Sequence, residues 1–390
     1  MKIVDVAEFY SDKGGGVKTY INQKMEAGRR HGHEVVVIAP GDEDREEERN
    51  GGKVIWIKGP KLFLDPNYYV LSNKEKVHAA LDKEQPDVVE GSSCWTGGIY
   101  AGNWPGDAVK AFIFHQDPIA VYPQTFLKTF FQLDTIDKLF GFGWRYIRKV
   151  SHKFDTTIVS GDWLRQRVEH FGLKEPRTVQ FGIDKSFFSP KRRNPELRKK
   201  LLADLGLDED ATLLIAVSRY HPEKRVSTII RGFKKASKSK PMGLIIFGSG
   251  PLEPWIRFRY KNTPHFKMMG FTKNRDELAD IMASCDYFVH GSAAETFGIV
   301  VAEAICSGLP FVVPQKGGAV DFADDAYSEV YETGNPKALA ASLLKLIERD
   351  REKLAGECAR VAQQKIVTVQ EHFDELFDCY EKLREKKSRG

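Results

Sequence analysis

Four residues in the second half of the chain have the types and spacing to manage a ligand rich in phosphate and hydroxyl groups: Arg219, Lys224, Glu295 and Glu303. Arg219 and Lys224 follow the apolar run Leu213–Val217, and from a strand end their charges can converge on a pyrophosphate and stabilise its negative charge. The alternative for this pair is a basic surface turn. A carboxylate at Glu295 and another at Glu303 can accept hydrogen bonds from ligand hydroxyls, one nearer a phosphate and one further off. Two glutamates on an arbitrary helix would carry no such meaning. Between them, the backbone N–H groups of Phe297, Gly298 and Ile299 suit an anionic oxygen if a helix begins there, and Gly298 lets a ligand approach closely.

The elements that must hold these residues are legible around them. Tyr287–His290 is short, apolar and β-prone and reads as a buried strand, and Ser292–Thr296 is a polar turn. Phe297–Ser307 has helical spacing, with Ile299, Ala302 and Ile305 on one face and Gly308 as a C-cap. Pro310 ends any helix, and Phe311–Val313 resumes a strand. The same alternation runs through the chain. Strands are expected at Lys2–Ala7, Glu34–Ala39, Lys53–Ile57, Asp87–Glu90, Ala111–His115, Thr156–Ser160, Leu213–Val217, Leu244–Phe247 and Phe266–Phe271, with helices between them. A last amphipathic helix spans about Val369–Lys386. The glycine-rich turn Gly14–Gly16 lies between the first strand and first helix, where doubly wound folds admit phosphates. It lacks the full dinucleotide fingerprint, because position 19 is Thr.

Size and composition limit the classes. A chain of 390 residues can bury two ordinary cores, so two domains are expected. Its 42% hydrophobic and 29% charged residues are those of a globular protein, and no apolar run approaches the roughly 18–20 residues of a membrane span. The chain enters a strand at once from Met1, which argues for a cytoplasmic protein without a signal peptide. The five cysteines are scattered, with no metal-ligand spacing. A net charge of +5 suits phosphates or an anionic membrane surface and is too small to argue for nucleic acid. Asp42–Asp44 and Asp208–Asp210 have the look of metal-holding D-x-D pairs, but the first opens the charged run Asp42–Arg49, which reads as a solvated loop, and the second sits in a polar connection.

Ile119–Lys153 interleaves Phe126, Phe130, Phe131, Leu139, Phe140, Phe142, Trp144 and Tyr146 with Lys128, Lys138, Arg145, Arg148, Lys149 and Lys153. Rings and cations on amphipathic segments suit a membrane interface. The competing reading is a helix pair on the N-terminal sheet with a basic outer face.

Glu295-Thr296-Phe297-Gly298 with Glu303-Ala304, followed by Gly308-Leu309-Pro310, resembles the nucleotide-sugar site of GT4-type retaining glycosyltransferases (group 1, GT-B fold). Arg219 and Lys224 resemble that family's R-x-x-x-x-K, Gly182-Ile183-Asp184 and Phe188-Ser189-Pro190 its interdomain connection, and Lys316-Gly317-Gly318 its G-G loop. Where the family often has glycine after the lysine, this chain has Arg225, which bears on local loop shape. The resemblance implies an α/β fold of two doubly wound, Rossmann-like domains facing each other across a cleft. Residues 1–188 would form the acceptor side, joined by the helix 369–390, and 189–368 the nucleotide-sugar side. By the same resemblance Glu295 contacts the donor sugar, Glu303 holds ribose hydroxyls, and His115 lies near the sugar. Gly15 and Gly16 would lie against the phosphates and acceptor, Gly248 and Gly250 near the nucleotide, and Gly270 and Phe271 at the base, with Phe271 alternatively a core residue.

The implied reaction moves a hexosyl group from a nucleotide diphosphate sugar, UDP being the commonest case, with retention and front-face attack. Arg219, Lys224 and the helix start at Phe297 would neutralise the diphosphate, so neither metal nor cofactor is expected, and domain closure would expel water. The acceptor expected is a membrane lipid such as diacylglycerol or a lipid-linked sugar, reached at the cytoplasmic membrane face. A polysaccharide or soluble acceptor is the alternative. A sugar-nucleotide epimerase or a Rossmann oxidoreductase would betray itself by isomerised free nucleotide sugar or a nicotinamide absorbance change.

Overall fold

The computed structural model describes residues 1–12, 16–62, 65–114, 116–127 and 131–389. The chain divides into two compact units, one of Met1–Asp117, Asp137–Gln180 and Val369–Gly390, the other of Pro118–Ile136 and Phe181–Thr368. The sequence expectation had grouped 118–136 with the first domain.

The first unit holds β1 (Lys2–Val6), β2 (Glu34–Gly41), β3 (Arg45–Arg49), β4 (Gly52–Lys58), a separate pair β5 (Lys61–Leu62) and β6 (Asp65–Tyr69), then β7 (Val88–Gly91), β8 (Val109–Ile113), β9 (Thr156–Val159) and β10 (Pro176–Thr178). Its main sheet runs β10-β9-β8-β7-β1-β2-β4-β3. Every pairing in it is parallel except β3 with β4. Strands β1, β2 and β7 are almost wholly buried, as parallel strands covered on both faces must be.

The charged run expected to be a solvated loop instead contains β3. Arg45, Glu47 and Arg49 alternate onto one face, where the Arg45 guanidinium lies 4.7 Å from the Trp56 ring centre and Trp56 Nε1 donates to Glu47 at 3.2 Å. A two-residue alternation of charges on an edge strand can pack over an aromatic ring while discouraging edge-to-edge association. In the same stretch Asp44 is taken up by the Lys58 N–H at 2.8 Å and by Lys76.

The helix Val369–Ser388 closes this unit, burying His372, Phe373, Leu376, Phe377, Tyr380 and Leu383. Beneath it lies a knot of charge that the sequence did not announce. Asp5 and Glu90 are paired in register on β1 and β7. Both bind Lys24 of the helix Gly16–Arg30, which is 0% exposed, with Asp5 Oδ2 at 2.6 Å from Nζ. Ser92 donates to the other Asp5 oxygen at 2.6 Å, and Tyr380 Oη donates to Glu90 at 2.7 Å. Burial drives the Glu90 carboxyl up to about 7 although Lys24 opposes it.

The second unit is a six-stranded sheet, parallel throughout, in the order β13-β12-β11-β14-β15-β16. The strands are β11 (Thr212–Val217), β12 (Met242–Phe247), β13 (Phe266–Gly270), β14 (Tyr287–Val289), β15 (Phe311–Pro314) and β16 (Ser328–Tyr331). Chain order reverses direction between β11 and β14, and in open α/β sheets ligands bind beyond the strand ends at such a switch point. Arg219 and Lys224 follow the first of these two strands, and Glu295 and Glu303 the second.

Candidate active site

Beyond β11, Ser218–His221 leads into a single 3₁₀ turn, Pro222–Lys224. Arg225 follows with φ +48°, left-handed, which accounts for the frequent glycine at this place: the turn demands that conformation, and here an arginine adopts it. The two glycines of the Gly248–Gly250 turn brace the loop. A Cβ on Gly248 would lie 1.8 Å from Ser218 O, and one on Gly250 would lie 2.7 Å from Tyr220 O. Tyr220 N–H bonds Ser249 O at 2.8 Å, and Gly248 N–H bonds Gly270 O at 2.8 Å, tying together the ends of β11, β12 and β13. Phe271, just past β13, is 68% exposed, so the core alternative for this ring is wrong.

Beyond β14, the polar loop delivers Glu295 and then the helix Ile299–Cys306. The helix starts later than the sequence suggested because Gly298 is its left-handed N-cap, at φ 95°. Phe297 turns inward and meets Phe181 and Phe322 edge-on, at 5.5 and 5.0 Å between ring centres. Its side chain anchors the loop, so only its backbone is available to a ligand. In the first turn Val301 N–H bonds Gly298 O at 2.8 Å, whereas the amides of Ile299 and Val300 precede any acceptor the helix can supply. The far end is closed by Gly308 N–H to Ile305 O and Leu309 N–H to Ala304 O, both 2.9 Å, the double bond of a Schellman cap. Gly318 N–H donates to Glu295 O at 2.7 Å, so the Lys316–Gly318 loop clasps the site loop from β15.

The two sides of the switch point meet directly. Lys224 Nζ lies 2.5 Å from Glu295 Oε1, and His290 Nε2 lies 3.8 Å from the same oxygen. Burial raises the Glu295 carboxyl, but Lys224, His290 and Arg219 outweigh it and hold the group below the ordinary range. Arg219 is 76% exposed, with Glu223 Oε1 3.7 Å from its guanidinium, and Glu223 also holds His221. Glu303 stands apart from that pair, 3.5 Å from the Arg275 guanidinium, and burial lifts its carboxyl to about 7 despite Arg275.

Of the residues expected at the site, the structure joins Lys224 to Glu295 and leaves Arg219 projecting. Gly16 opens the first helix of the other unit, at Gly16–Arg30. Gly15 and His115 lie outside the described residues. Sequence reasoning passed over His290, which it counted as the end of an apolar strand, and over Glu223 and Arg275, which carry no spacing signal of their own.

The family model for glycosyl transferases group 1 matches residues 198–365, and that for glycosyltransferase family 4 matches residues 14–187. A GDP-mannose-dependent alpha-mannosyltransferase of Corynebacterium glutamicum is 26% identical over 330 residues, covering 83% of this chain and 75% of its own. A GDP-mannose-dependent alpha-(1-6)-phosphatidylinositol dimannoside mannosyltransferase of Mycobacterium tuberculosis is 24% identical over 368 residues, covering 92% of this chain and 91% of its own. Among solved structures, sucrose-phosphate synthase from Thermosynechococcus elongatus has a TM-score of 0.75 at 15% identity, covering 98% of this chain and 99% of that one, a likeness of fold. With both halves matched by the two models and the fold shared with a GT-B enzyme, the chain belongs to the group 1 glycosyl transferases of the GT4 kind and is a glycosyltransferase.

Proposed function

We propose that this enzyme transfers a mannosyl group from GDP-mannose to a lipid-linked acceptor, with retention of configuration and without a cofactor. The observation that carries the donor site is the Lys224–Glu295 pair at the switch point of the second sheet. A cation for the diphosphate and a carboxylate for sugar hydroxyls stand there side by side. The sequence favoured a uridine nucleotide; the names of the two relatives above favour guanosine, and the proposal follows them. Arg219, Lys224 and the first-turn amides after Gly298 neutralise the diphosphate, Glu295 orients the sugar, and Glu303 accepts from the ribose hydroxyls. Gly248, Gly250, Gly270 and Phe271 border the nucleoside. The departing phosphate oxygen takes the acceptor proton on the face it leaves.

Glu303→Ala should raise the donor KM about tenfold to a hundredfold with kcat little changed, since a carboxylate hydrogen-bonded to hydroxyls contributes roughly 1.5–3 kcal/mol. Because its carboxyl titrates near 7, Glu303 is largely neutral at acid pH and becomes a full acceptor as pH rises. Donor KM should therefore fall between pH 6 and 8 in the wild type and stay flat in Glu303→Gln. A flat wild-type profile would remove Glu303 from the donor site. Calorimetric titration with GDP and UDP tests the base: tighter GDP binding is expected, and a preference for UDP would sink the guanosine assignment.

A lipid acceptor is supported by the helix Gly141–Ser151 and the residues before it. Trp144, Ile147 and Val150 face inward, while Phe142 is 61% and Leu139 60% exposed beside Lys138, Arg145 and Lys149. Two bare apolar side chains among cations are costly in water and favourable at an anionic bilayer. No helix among the described residues is long and apolar enough to cross a membrane, so the contact would be peripheral. Leu139→Ser with Phe142→Ser should reduce co-sedimentation with anionic vesicles while leaving transfer to a detergent-dispersed acceptor intact. Unchanged sedimentation would discard this surface.

A further inference from the structure

His290 is 2% exposed, and its Nε2 is buried with no hydrogen-bond partner. A buried polar atom left unpaired is costly, and such atoms are rare enough in folded proteins to need a reason. Its surroundings are otherwise fixed. His290 N–H donates to Val312 O at 2.9 Å, and Tyr331 Oη donates to His290 O at 2.9 Å. The ring lies nearly parallel to Phe288, with 17° between the planes. Among the described residues, the charged group that Nε2 faces in an ion-pair geometry is Glu295 Oε1, 3.8 Å away, too far for a hydrogen bond.

That same oxygen is held by Lys224 at 2.5 Å. In the proposed reaction the two partners have different tasks, Lys224 on the diphosphate and Glu295 on the sugar, so donor binding must part them. Glu295 would then keep a largely buried carboxylate with its cation gone, while Gly318 N–H pins its backbone oxygen at 2.7 Å. The carboxylate is free to rotate but the residue is not free to leave.

We infer that His290 is a positioning residue that takes over Glu295 Oε1 when Lys224 turns to the donor diphosphate, an inference that rests on the function proposed above. Closing the gap needs a movement of about 1 Å to reach ordinary hydrogen-bond length. In the hand-over the single proton of the neutral ring sits on Nε2, away from the Ser292 backbone that the other nitrogen meets, so that the imidazole donates to the carboxylate. Burial, together with Lys224 and the neighbouring Arg225, lowers its titration to about 4 even though Glu295 opposes the shift. A neutral donor orients the carboxylate for the sugar without adding a charge that would compete for the diphosphate.

Two experiments on the full-length protein test this. The first compares His290→Phe, which fills the space without a donor, with His290→Gln, whose amide nitrogen can occupy the place of Nε2. The Phe variant should lose about tenfold or more in kcat with donor KM within about threefold, and the Gln variant should recover most of the loss. Wild-type turnover in the Phe variant, or equal losses in both, would overturn the inference, the second because a packing role does not distinguish an amide from an apolar ring.

The second experiment depends neither on turnover nor on a folded His290 variant. Nitrogen-15 NMR of ring-labelled histidines should show a slowly exchanging His290 Nε2–H appear on adding GDP to the wild type. In Lys224→Ala, which frees Glu295, the same signal should be present without nucleotide. A His290 ring indifferent to both changes would contradict the hand-over. If neither GDP nor UDP binds while Lys224→Ala produces the signal, the donor reading fails and the His290–Glu295 relation stands.

Discussion

Lys224→Ala should lower kcat by about a hundredfold to a thousandfold, the scale of losing one preorganised group that stabilises developing charge. Lys224 stands beyond the end of β11 and faces Glu295 across the switch point of the sheet. In turnover its charge would face the nucleoside diphosphate as the glycosidic bond breaks. Because that charge grows towards the transition state, the loss should fall on kcat more than on donor KM, opposite to Glu303→Ala. The substitution also leaves Glu295 without its nearest cation, so the variant should show a raised Glu295 titration even without donor. Steady-state kinetics with the donor varied checks the split. A Lys224→Ala enzyme with normal kcat would show that the cation serves only to hold the Glu295 loop.

The largest effect on stability should come from Lys24→Met. Its ammonium lies between Asp5 and Glu90, and removing it strands two buried carboxylates under the C-terminal helix. Breaking a buried pair by deleting one partner costs roughly 3–5 kcal/mol, a large part of what a unit of this kind has to spare. The sign of the pH dependence follows from Glu90. Its folded carboxyl titrates at about 7, above the ordinary 4.5, so its contribution is complete below the ordinary value and is lost as pH rises through about 7. Without Lys24 this penalty deepens, and the defect in thermal unfolding should be smallest near pH 5 and grow towards pH 8. A variant that melts like the wild type at pH 8 would refute this view of the knot.

How much of this was written in the sequence differs by element. The strand–loop–helix–strand around Glu295 was legible because its signals are local: β-prone Tyr287–Val289, a polar turn, helical spacing and the Gly308 cap. The last helix was legible for the same reason, its buried residues being the apolar face that periodicity marked. What depends on distant partners was hidden. The strand Arg45–Arg49 looks like a loop until Trp56 is seen beneath its arginines. Lys24, Asp5 and Glu90 are ordinary polar letters until β1, β7 and two helices converge on them. In the site, spacing could assign Lys224 and Glu295 to one ligand but could not show that they bind each other. Nor could a lone histidine at a strand end reveal that it looks toward the same oxygen. Ile119–Lys153 was read as one surface, whereas residues 118–136 group with the second unit and the helix Gly141–Ser151 with the first.

The central claim is that the donor site serves mannosyl transfer to lipid. Its most direct test is incubation with GDP-mannose labelled in the sugar and phosphatidylinositol-containing vesicles, followed by counting label in the organic phase, for wild type and Lys224→Ala. Label should enter the lipid fraction with wild type and fall by about two to three orders of magnitude with the variant. Label confined to the aqueous phase, or equal incorporation by the two proteins, would contradict the acceptor in the first case and the site in the second.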